Sequence, residues 1–188
     1  ATGNYNPITS RMYTDLGLLT SDEEIGADAT SLFNFLTGYS QQNKYHRMLV
    51  APLNLRQKFV QLIRREKRNR LEGKKARIIA KLNSLTDENL IDELYSASKA
   101  GVEIDLIVRG ICALRPSIKG LSSTIRVVSI VGRFLEHTRI FYFLNDGEED
   151  VHLSSADWME RNFFRRIELA FPLLDPRLKQ RVIKEGLK

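Results

Sequence analysis

Short apolar runs alternate with amphipathic stretches along the central part of the chain. The runs RMLVAP, ARIIAKL and VEIDLIVRG predict strands, and the last is apolar nearly throughout, as expected for a strand buried on both faces. Residues 55–72 repeat apolar side chains at helical spacing after Asn54, which we expect to cap this helix. A second helix, through Lys99, begins after Thr86 or Asp87. This order predicts an α/β fold with a mainly parallel sheet.

The two ends of the chain add elements to this pattern. Toward the C-terminus, IRVVSIV, RIFYFL, VHLSS and RIELAFPLL predict four more strands, and a last helix begins near Pro176. Near the N-terminus, the acidic run SDEE marks a helix start, and the apolar spacing from Thr30 predicts a short helix. The polar QQNK that follows predicts a linker, and therefore a boundary between residues 1–44 and 45–188.

The composition is that of an ordinary globular protein with a basic excess. The 188 residues are 43% hydrophobic and 28% charged, which excludes a disordered chain. A single cysteine, Cys112, excludes an internal disulfide framework and fits a reducing cytosol. No apolar run reaches transmembrane length. The net charge of +6 favours an anionic partner, with nucleic acid, nucleotide, polyanion and anionic lipid all open. Because the chain opens without Met, in ATGNYNP, we expect a piece of a longer protein.

A histidine and an arginine stand together at the head of the apolar run RIFYFL. His137 lies two residues before Arg139, so that on a strand the two side chains share a face. A neutral imidazole can attack phosphorus, and an arginine beside it can grip phosphate oxygens with two hydrogen bonds. The segment SSAD, which begins at Ser154, can add backbone N–H groups and hydroxyls. The alternative is that His137 ends a strand and Arg139 is a solvated charge.

Further candidate residues lie near other predicted strand ends or turns. Arg109 follows an apolar strand at the edge where open α/β sheets place their ligands, although a surface arginine in a loop fits equally well. Arg166 and Glu168 share a strand face, so that Glu168 either orients an active-site cation or forms a plain salt bridge. Tyr13 is suited to stacking on a base, or to simple packing.

The remaining polar features narrow the chemistry. The basic run from Arg56 to Arg70 indicates a solvated helix face or a polyanion-binding surface. His46 and His152 lack companions at metal-ligand spacing, so that no metal ligand is assigned. No G-x-x-x-x-G-K-[ST] segment is present, which excludes a P-loop as the phosphate cradle.

Five segments together resemble the C-terminal half of bacterial polyphosphate kinases of the long-chain-synthesising type. They are TGNYNP (2–7), YTDLGLLT (13–20), LIVRGICALRP (106–116), SIVGRFLEHTRI (129–140) and SSADWMERN (154–162). That family is similar in fold to the phospholipase D superfamily, in which two related halves each supply a histidine motif to one site. The resemblance implies a three-layer α/β domain with a mixed, mainly parallel sheet. Residues 45–188 would be the second catalytic half, and residues 1–44 the remnant of the first.

The resemblance also implies an activity and the residues that serve it. The family transfers the terminal phosphate of ATP reversibly, through a phosphohistidine, to polyphosphate. Tyr13, Arg109 and His137 match its ATP-contacting positions, and Arg166 and Glu168 match other active-site positions. The phosphorylated histidine and the Mg²⁺ ligands are expected upstream of Ala1, which stands where the family has glycine. His137, with Arg139 beside it, would then do acid–base or phosphate-stabilising work, and the chain alone would be inactive.

The expected partners follow from the same resemblance. They are ATP or ADP and inorganic polyphosphate, and no specific nucleic acid is expected. The resemblance also implies a homo-oligomer, a cytoplasmic location and peripheral association with a membrane. Two alternatives stay open, a phospholipase D-like phosphodiesterase or nuclease and a basic nucleic-acid-binding module. Arg139 in place of the lysine of H-x-K, and SSAD in place of G-S-x-N, count against the phosphodiesterase.

Overall fold

The structure of the protein is a computed structural model that describes residues 1–3, 6–39 and 44–187. The predicted linker QQNK therefore lies, apart from its lysine, outside the described residues. The helices are α1 (Glu23–Leu36), α2 (Leu55–Leu71), α3 (Glu88–Lys99), α4 (Glu160–Phe164) and α5 (Pro176–Gly186), with 3-10 turns at Thr9–Arg11 and Asn145–Gly147. The strands are β1 (Tyr13–Thr14), β2 (Leu49–Ala51), β3 (Arg77–Leu82), β4 (Glu103–Val108), β5 (Ile125–Val128), β6 (Leu135–Glu136), β7 (Arg139–Phe143), β8 (Asp150–Ser154) and β9 (Glu168–Pro172).

Seven of these strands form one mixed sheet in the order β2-β9-β8-β7-β3-β4-β5. The mixed α/β sheet confirms the predicted class, and five strands point the same way. Parallel pairing is nevertheless confined to β3, β4 and β5, whereas the other four neighbouring pairs are antiparallel. The expected mixed sheet is confirmed, with its parallel pairs side by side at one edge.

Helices cover both faces of the sheet, which gives the expected three layers. Along β3, Ile78 and Ala80 face one core, which α2 and α3 close, while Ile79 between them faces a second core on the opposite side. The second core is closed by α1, through Leu32, and by residues of α5. The alternation follows from the two-residue period of a strand.

Two local expectations differ from the structure. β4 alternates between buried and partly or fully exposed positions, so that its predicted burial on both faces is wrong. Its open face carries Asp105, which pairs with Arg77 and Arg126 at 2.5 and 2.7 Å. Asp87 caps α3, but the side chain of Asn54 does not cap α2, because it accepts a hydrogen bond from the Val50 N–H at 2.7 Å.

The N-terminal segment is fastened to this sheet at two places. Asp28 of α1 is buried and accepts hydrogen bonds from the backbone N–H groups of residues 46–48, just before β2. The short strand β1 pairs in parallel with β6, immediately before His137. The segment therefore reaches the histidine, while the predicted boundary near residue 44 stays a prediction.

Candidate active site

A polar cleft of about 470 Å³ opens at the edge of the sheet where β3 and β8 end and β7 and β9 begin. Five predicted site residues line it, namely Arg109, His137, Arg139, Arg166 and Glu168. The loop after β3 and the start of the chain add Asn83, Ser84, Thr2 and Gly3. The sequence-based candidates from separate strands thus meet in one place.

His137 is held between a carboxylate and a guanidinium. Its Nδ1 lies 3.0 and 3.1 Å from the two carboxylate oxygens of Asp15. The Nη1 of Arg139 lies 3.0 Å from Nε2 and 3.2 Å from Nδ1. Because a carboxylate only accepts hydrogen bonds, the Asp15 contact favours a proton on Nδ1 and leaves Nε2 to exchange a proton. Arg139 Nη1 lies close to both ring nitrogens, so that it brings positive charge to the ring without selecting between them.

Tyr13 and the first residues of the chain complete the surroundings of His137. The Tyr13 ring packs on the imidazole, with centroids 4.7 Å apart, but does not line the cleft. Thr2 donates from Oγ1 to Asp15 at 2.8 Å. A Cβ added at Gly3 would collide with the Asp15 carboxylate, so that only glycine leaves this carboxylate room. The turn at the chain start therefore helps to position Asp15, which the sequence did not single out.

Arg139 is buried and has its hydrogen bonds inside the protein. Its Nε and Nη2 donate to the two oxygens of Asp157 at 3.1 and 3.0 Å, and its Nη1 donates to the carbonyl oxygens of Thr2 and His137. Arg139 therefore forms its bidentate hydrogen bonds with Asp157, and not with a phosphate as predicted. In this geometry Arg139 positions His137 and brings positive charge to it.

Asp157 also connects the histidine to the cation on the neighbouring loop. Its Oδ1 accepts from the backbone N–H of Asn83 at 2.7 Å. The side-chain oxygen of Asn83 in turn accepts from Nε of Arg109 at 2.8 Å. A continuous chain of hydrogen bonds thus fixes Arg139 and Arg109 relative to each other. Asn83 was missed as a site residue, because nothing in the sequence links the end of β3 to a loop 74 residues later.

Glu168 and the SSAD segment form a third part of the wall. Glu168 is buried and accepts from Ser155 Oγ at 2.5 Å and from Asn162 Nδ2 at 3.1 Å, while Arg166 stays exposed with Nη1 3.8 Å away. The hydroxyls of Ser154 and Ser155 bond to Leu169 and Glu168. The expectation that SSAD offers these hydroxyls to an anion is therefore wrong, since they brace β8 against β9.

The charges that remain accessible in the cleft are positive. Among the described residues, Arg109 and Arg161 have no carboxylate within ion-pair distance, and Arg166 has only the distant Glu168. The described residues contain no group of three or more His, Cys, Asp or Glu able to hold a metal ion, so a Mg²⁺ ion here would depend on ligands from phosphates, water or the rest of the protein. They contain no helix long and apolar enough to cross a membrane.

Comparison with known protein families shows which family has this sequence. The family model for “Polyphosphate kinase C-terminal domain 2” matches residues 48–185, which is more than half of the chain. The chain belongs to the polyphosphate kinase family. The model for “Polyphosphate kinase C-terminal domain 1” matches residues 1–42. The resemblance drawn from the five sequence segments is confirmed.

Curated polyphosphate kinases are similar along nearly the whole chain. The protein of Synechocystis sp. is 58% identical over 95% of the chain, and that of Paraburkholderia phytofirmans is 56% identical over 99%. The chain spans only 25% and 27% of these two relatives. A solved structure, polyphosphate kinase from Porphyromonas gingivalis, superposes with a TM-score of 0.94 at 47% identity, over 97% of this chain and 28% of that one.

A second solved structure shares the fold more loosely. NucT from Helicobacter pylori has a TM-score of 0.51 at 14% identity, over 73% of this chain and 89% of its own. At this identity the likeness shows the fold alone. It agrees with the predicted α/β fold.

Proposed function

We propose that the chain is the C-terminal catalytic part of a polyphosphate kinase, which passes the terminal phosphate of ATP reversibly to inorganic polyphosphate. The observation that carries this proposal is the cleft that unites His137 with Arg109 and Arg166, in a chain of the polyphosphate kinase family. Phosphoryl transfer needs positioning and cationic stabilisation more than new covalent groups, and a cationic cleft supplies both.

The phosphorylated histidine belongs to a segment upstream of Ala1 in this proposal. The terminal phosphoryl group leaves the bridging oxygen of ATP, bonds to that histidine and releases ADP, and then passes to a terminal oxygen of polyphosphate. His137 takes up or returns a proton at Nε2, while Asp15 and Arg139 hold its ring. Arg109 and Arg166 face the phosphate oxygens, and Tyr13 positions His137 by stacking on it. ATP or ADP and polyphosphate are accordingly the proposed substrates.

The role of Mg²⁺, the oligomeric state and the cellular location of the enzyme are further predictions. Mg²⁺, a usual companion of ATP, finds no ligand set in the described residues, and no step is assigned to it. Homo-oligomerisation, a cytoplasmic location and peripheral membrane association are likewise retained as predictions.

The decisive test replaces His137 in a polypeptide that includes the segment upstream of Ala1. His137→Gln is expected to slow the incorporation of label from γ-³²P-ATP into polyphosphate by about 10²- to 10⁴-fold, the usual contribution of a general acid–base group. Lys99→Ala, an exposed change on α3 remote from the cleft residues, is the matched control and should leave the rate unchanged.

Two results would contradict the proposal. An unchanged rate in His137→Gln would leave the histidine with a structural role only. Hydrolysis of a phosphodiester, without any transfer of label from ATP, would favour the phosphodiesterase alternative instead.

A further inference from the structure

A second cleft, of about 350 Å³, lies between α2 and the end of the sheet remote from the active site. We define it by six of its lining residues, Tyr45, Lys58, Arg65, Asp150, His152 and Lys179. Strand β8 runs from Asp150, in the second cleft, to Ser154, beside the active cleft. At about 3.3 Å per residue these ends are roughly 13 Å apart, so the two clefts are separate.

The second cleft carries an excess of positive charge. Arg47, Lys58, Arg65 and Lys179 face a single lining carboxylate, that of Asp150. Arg47 pairs with Glu24, and Arg65 pairs with Asp150 at 2.7 Å. In the part of the chain that the structure describes, Lys58 and Lys179 have no ion-pair partner. Two ammonium groups are therefore available to an anion.

Three buried polar atoms of the second cleft have no hydrogen-bond partner among the described residues. They are Tyr45 Oη, Arg65 Nε and His152 Nδ1. A buried polar group without a partner costs about 1–3 kcal/mol. Three of the seven such atoms among the described residues belong to side chains that line this one cleft, which points to a ligand there.

These three groups share a chemical property. A phenol carries an O–H donor and a guanidinium carries N–H donors, and a neutral imidazole donates at Nδ1 when its single proton is on that nitrogen. Burial lowers the pKa of His152 to about 4, assisted by the charges of Arg65, Lys58 and Lys179 and opposed by Asp150, so that the ring is neutral at pH 7. Converging donors beside free cations fit an oxyanion better than a metal ion or an apolar ligand.

We propose that the second cleft binds a phosphate-type oxyanion, and specifically a segment of polyphosphate held outside the active cleft. The choice of polyphosphate rests on the proposed function, whereas the preference for an oxyanion rests on the donors and cations alone. Lys58 and Lys179 contact the phosphate oxygens at the rim, and His152 and Tyr45 donate from the wall. A chain held there is retained between successive transfers at the other end of the sheet.

The three histidines of the chain allow the two clefts to be observed separately. His137 lines the active cleft, and His46 and His152 line the second one. We suggest titrating the 188-residue chain with tripolyphosphate and, separately, with ATP, while the imidazole signals are followed by NMR. The expected result is a saturable shift of the His152 signal with tripolyphosphate. Lys58→Ala/Lys179→Ala should weaken this binding at least about tenfold, a loss of about 1.4 kcal/mol.

The control variant removes the same charge elsewhere. Lys99→Ala/Lys119→Ala changes two exposed lysines that line neither cleft, and its dissociation constant at His152 should stay within about twofold of the unchanged chain. If both double variants bound tripolyphosphate equally weakly, net charge alone would explain the loss of affinity, and the proposed binding site would be overturned. Circular dichroism verifies that each variant is folded.

The other outcomes separate this proposal from the proposed function. No saturable shift of His152 would mean that water alone satisfies the three polar atoms, and would overturn the proposal. Tighter binding of ATP than of tripolyphosphate at His152 would overturn the choice of polyphosphate. A saturable shift of His152 with tripolyphosphate, together with an unchanged labelling rate of His137→Gln in the longer polypeptide, would support the second cleft while contradicting the proposed function.

Discussion

The two clefts at opposite ends of the sheet are both cationic, but they satisfy their polar groups in different ways. In the active cleft, the buried guanidinium of Arg139 donates to Asp157 and to two backbone carbonyls, and Asn83 extends the network to Arg109. In the second cleft, Arg65 Nε and His152 Nδ1 are buried without partners. Among the described residues, the side chains that line the active cleft leave one buried polar atom without a partner, Asn162 Oδ1, whereas those of the second cleft leave three.

This difference separates two uses of positive charge. A cation fixed by a carboxylate costs nothing to reorganise when charge develops in a reaction, which suits catalysis. Cations and donors without partners gain most when an anion arrives, which suits binding. The active cleft should therefore be intolerant of changes to its internal partners, while the second cleft should respond to anions and to pH.

The largest expected effect comes from breaking the buried pair in the active cleft. Asp157→Ala leaves the Arg139 charge buried without its partner and should lower the free energy of unfolding by about 3–5 kcal/mol. Glu24→Ala is the control, because its pair with Arg47 is half exposed and contributes only about 0–1 kcal/mol. Urea denaturation measures both, and similar small losses would remove the contrast between a fixed and an open cation site.

The next largest effect is the pH dependence of the second cleft. The pKa of His152 is about 4 in the fold against 6.5 for an ordinary histidine, so the unfolded chain binds more protons between these values. The contribution of His152 to the free energy of unfolding is therefore fully present above pH 6.5. It is lost progressively as the pH is lowered from 6.5 to 4. A shift of this size corresponds to about 3 kcal/mol in total, of which about 2 kcal/mol is lost by pH 5.

The measurement compares urea unfolding of the unchanged chain and His152→Gln at pH 7 and pH 5. Glutamine does not titrate, so its variant should lack the His152 contribution, while the effects of carboxylates are common to both chains. A difference between the two chains that does not change with pH would show that His152 titrates normally.

The smallest effect concerns the tautomer of His137. Asp15→Asn replaces a side chain that only accepts at Nδ1 with an amide that can also donate. The preference for a proton on Nδ1 should therefore weaken by about 1 kcal/mol, which is about a fivefold change in the ratio of the two tautomers. The ¹⁵N chemical shifts of the ring report this ratio. An unaltered ratio would show that Asp15 does not select the tautomer.

The order of the elements and several site residues could be predicted because their signals are local. Short apolar runs placed each strand of the large sheet, and the proximity of His137 to Arg139 follows from their spacing of two residues. The three layers and the site positions of Arg166, Glu168 and Tyr13 came from the resemblance to a family. Strand pairing was less predictable, since strands far apart in the chain, such as β3 and β7 or β2 and β9, lie side by side in the sheet.

The sequence by itself determined the α/β elements, the membership of the polyphosphate kinase family and the histidine around which the site is built. Only the tertiary structure decided what each cation does. Arg139 is neutralised by Asp157 and Arg109 is held by Asn83, while Lys58 and Lys179 are left free, and these outcomes depend on contacts between residues far apart in the chain. A charge has no fixed role until packing sets its distance from a partner and from water, because both its desolvation and its pairing depend on that geometry.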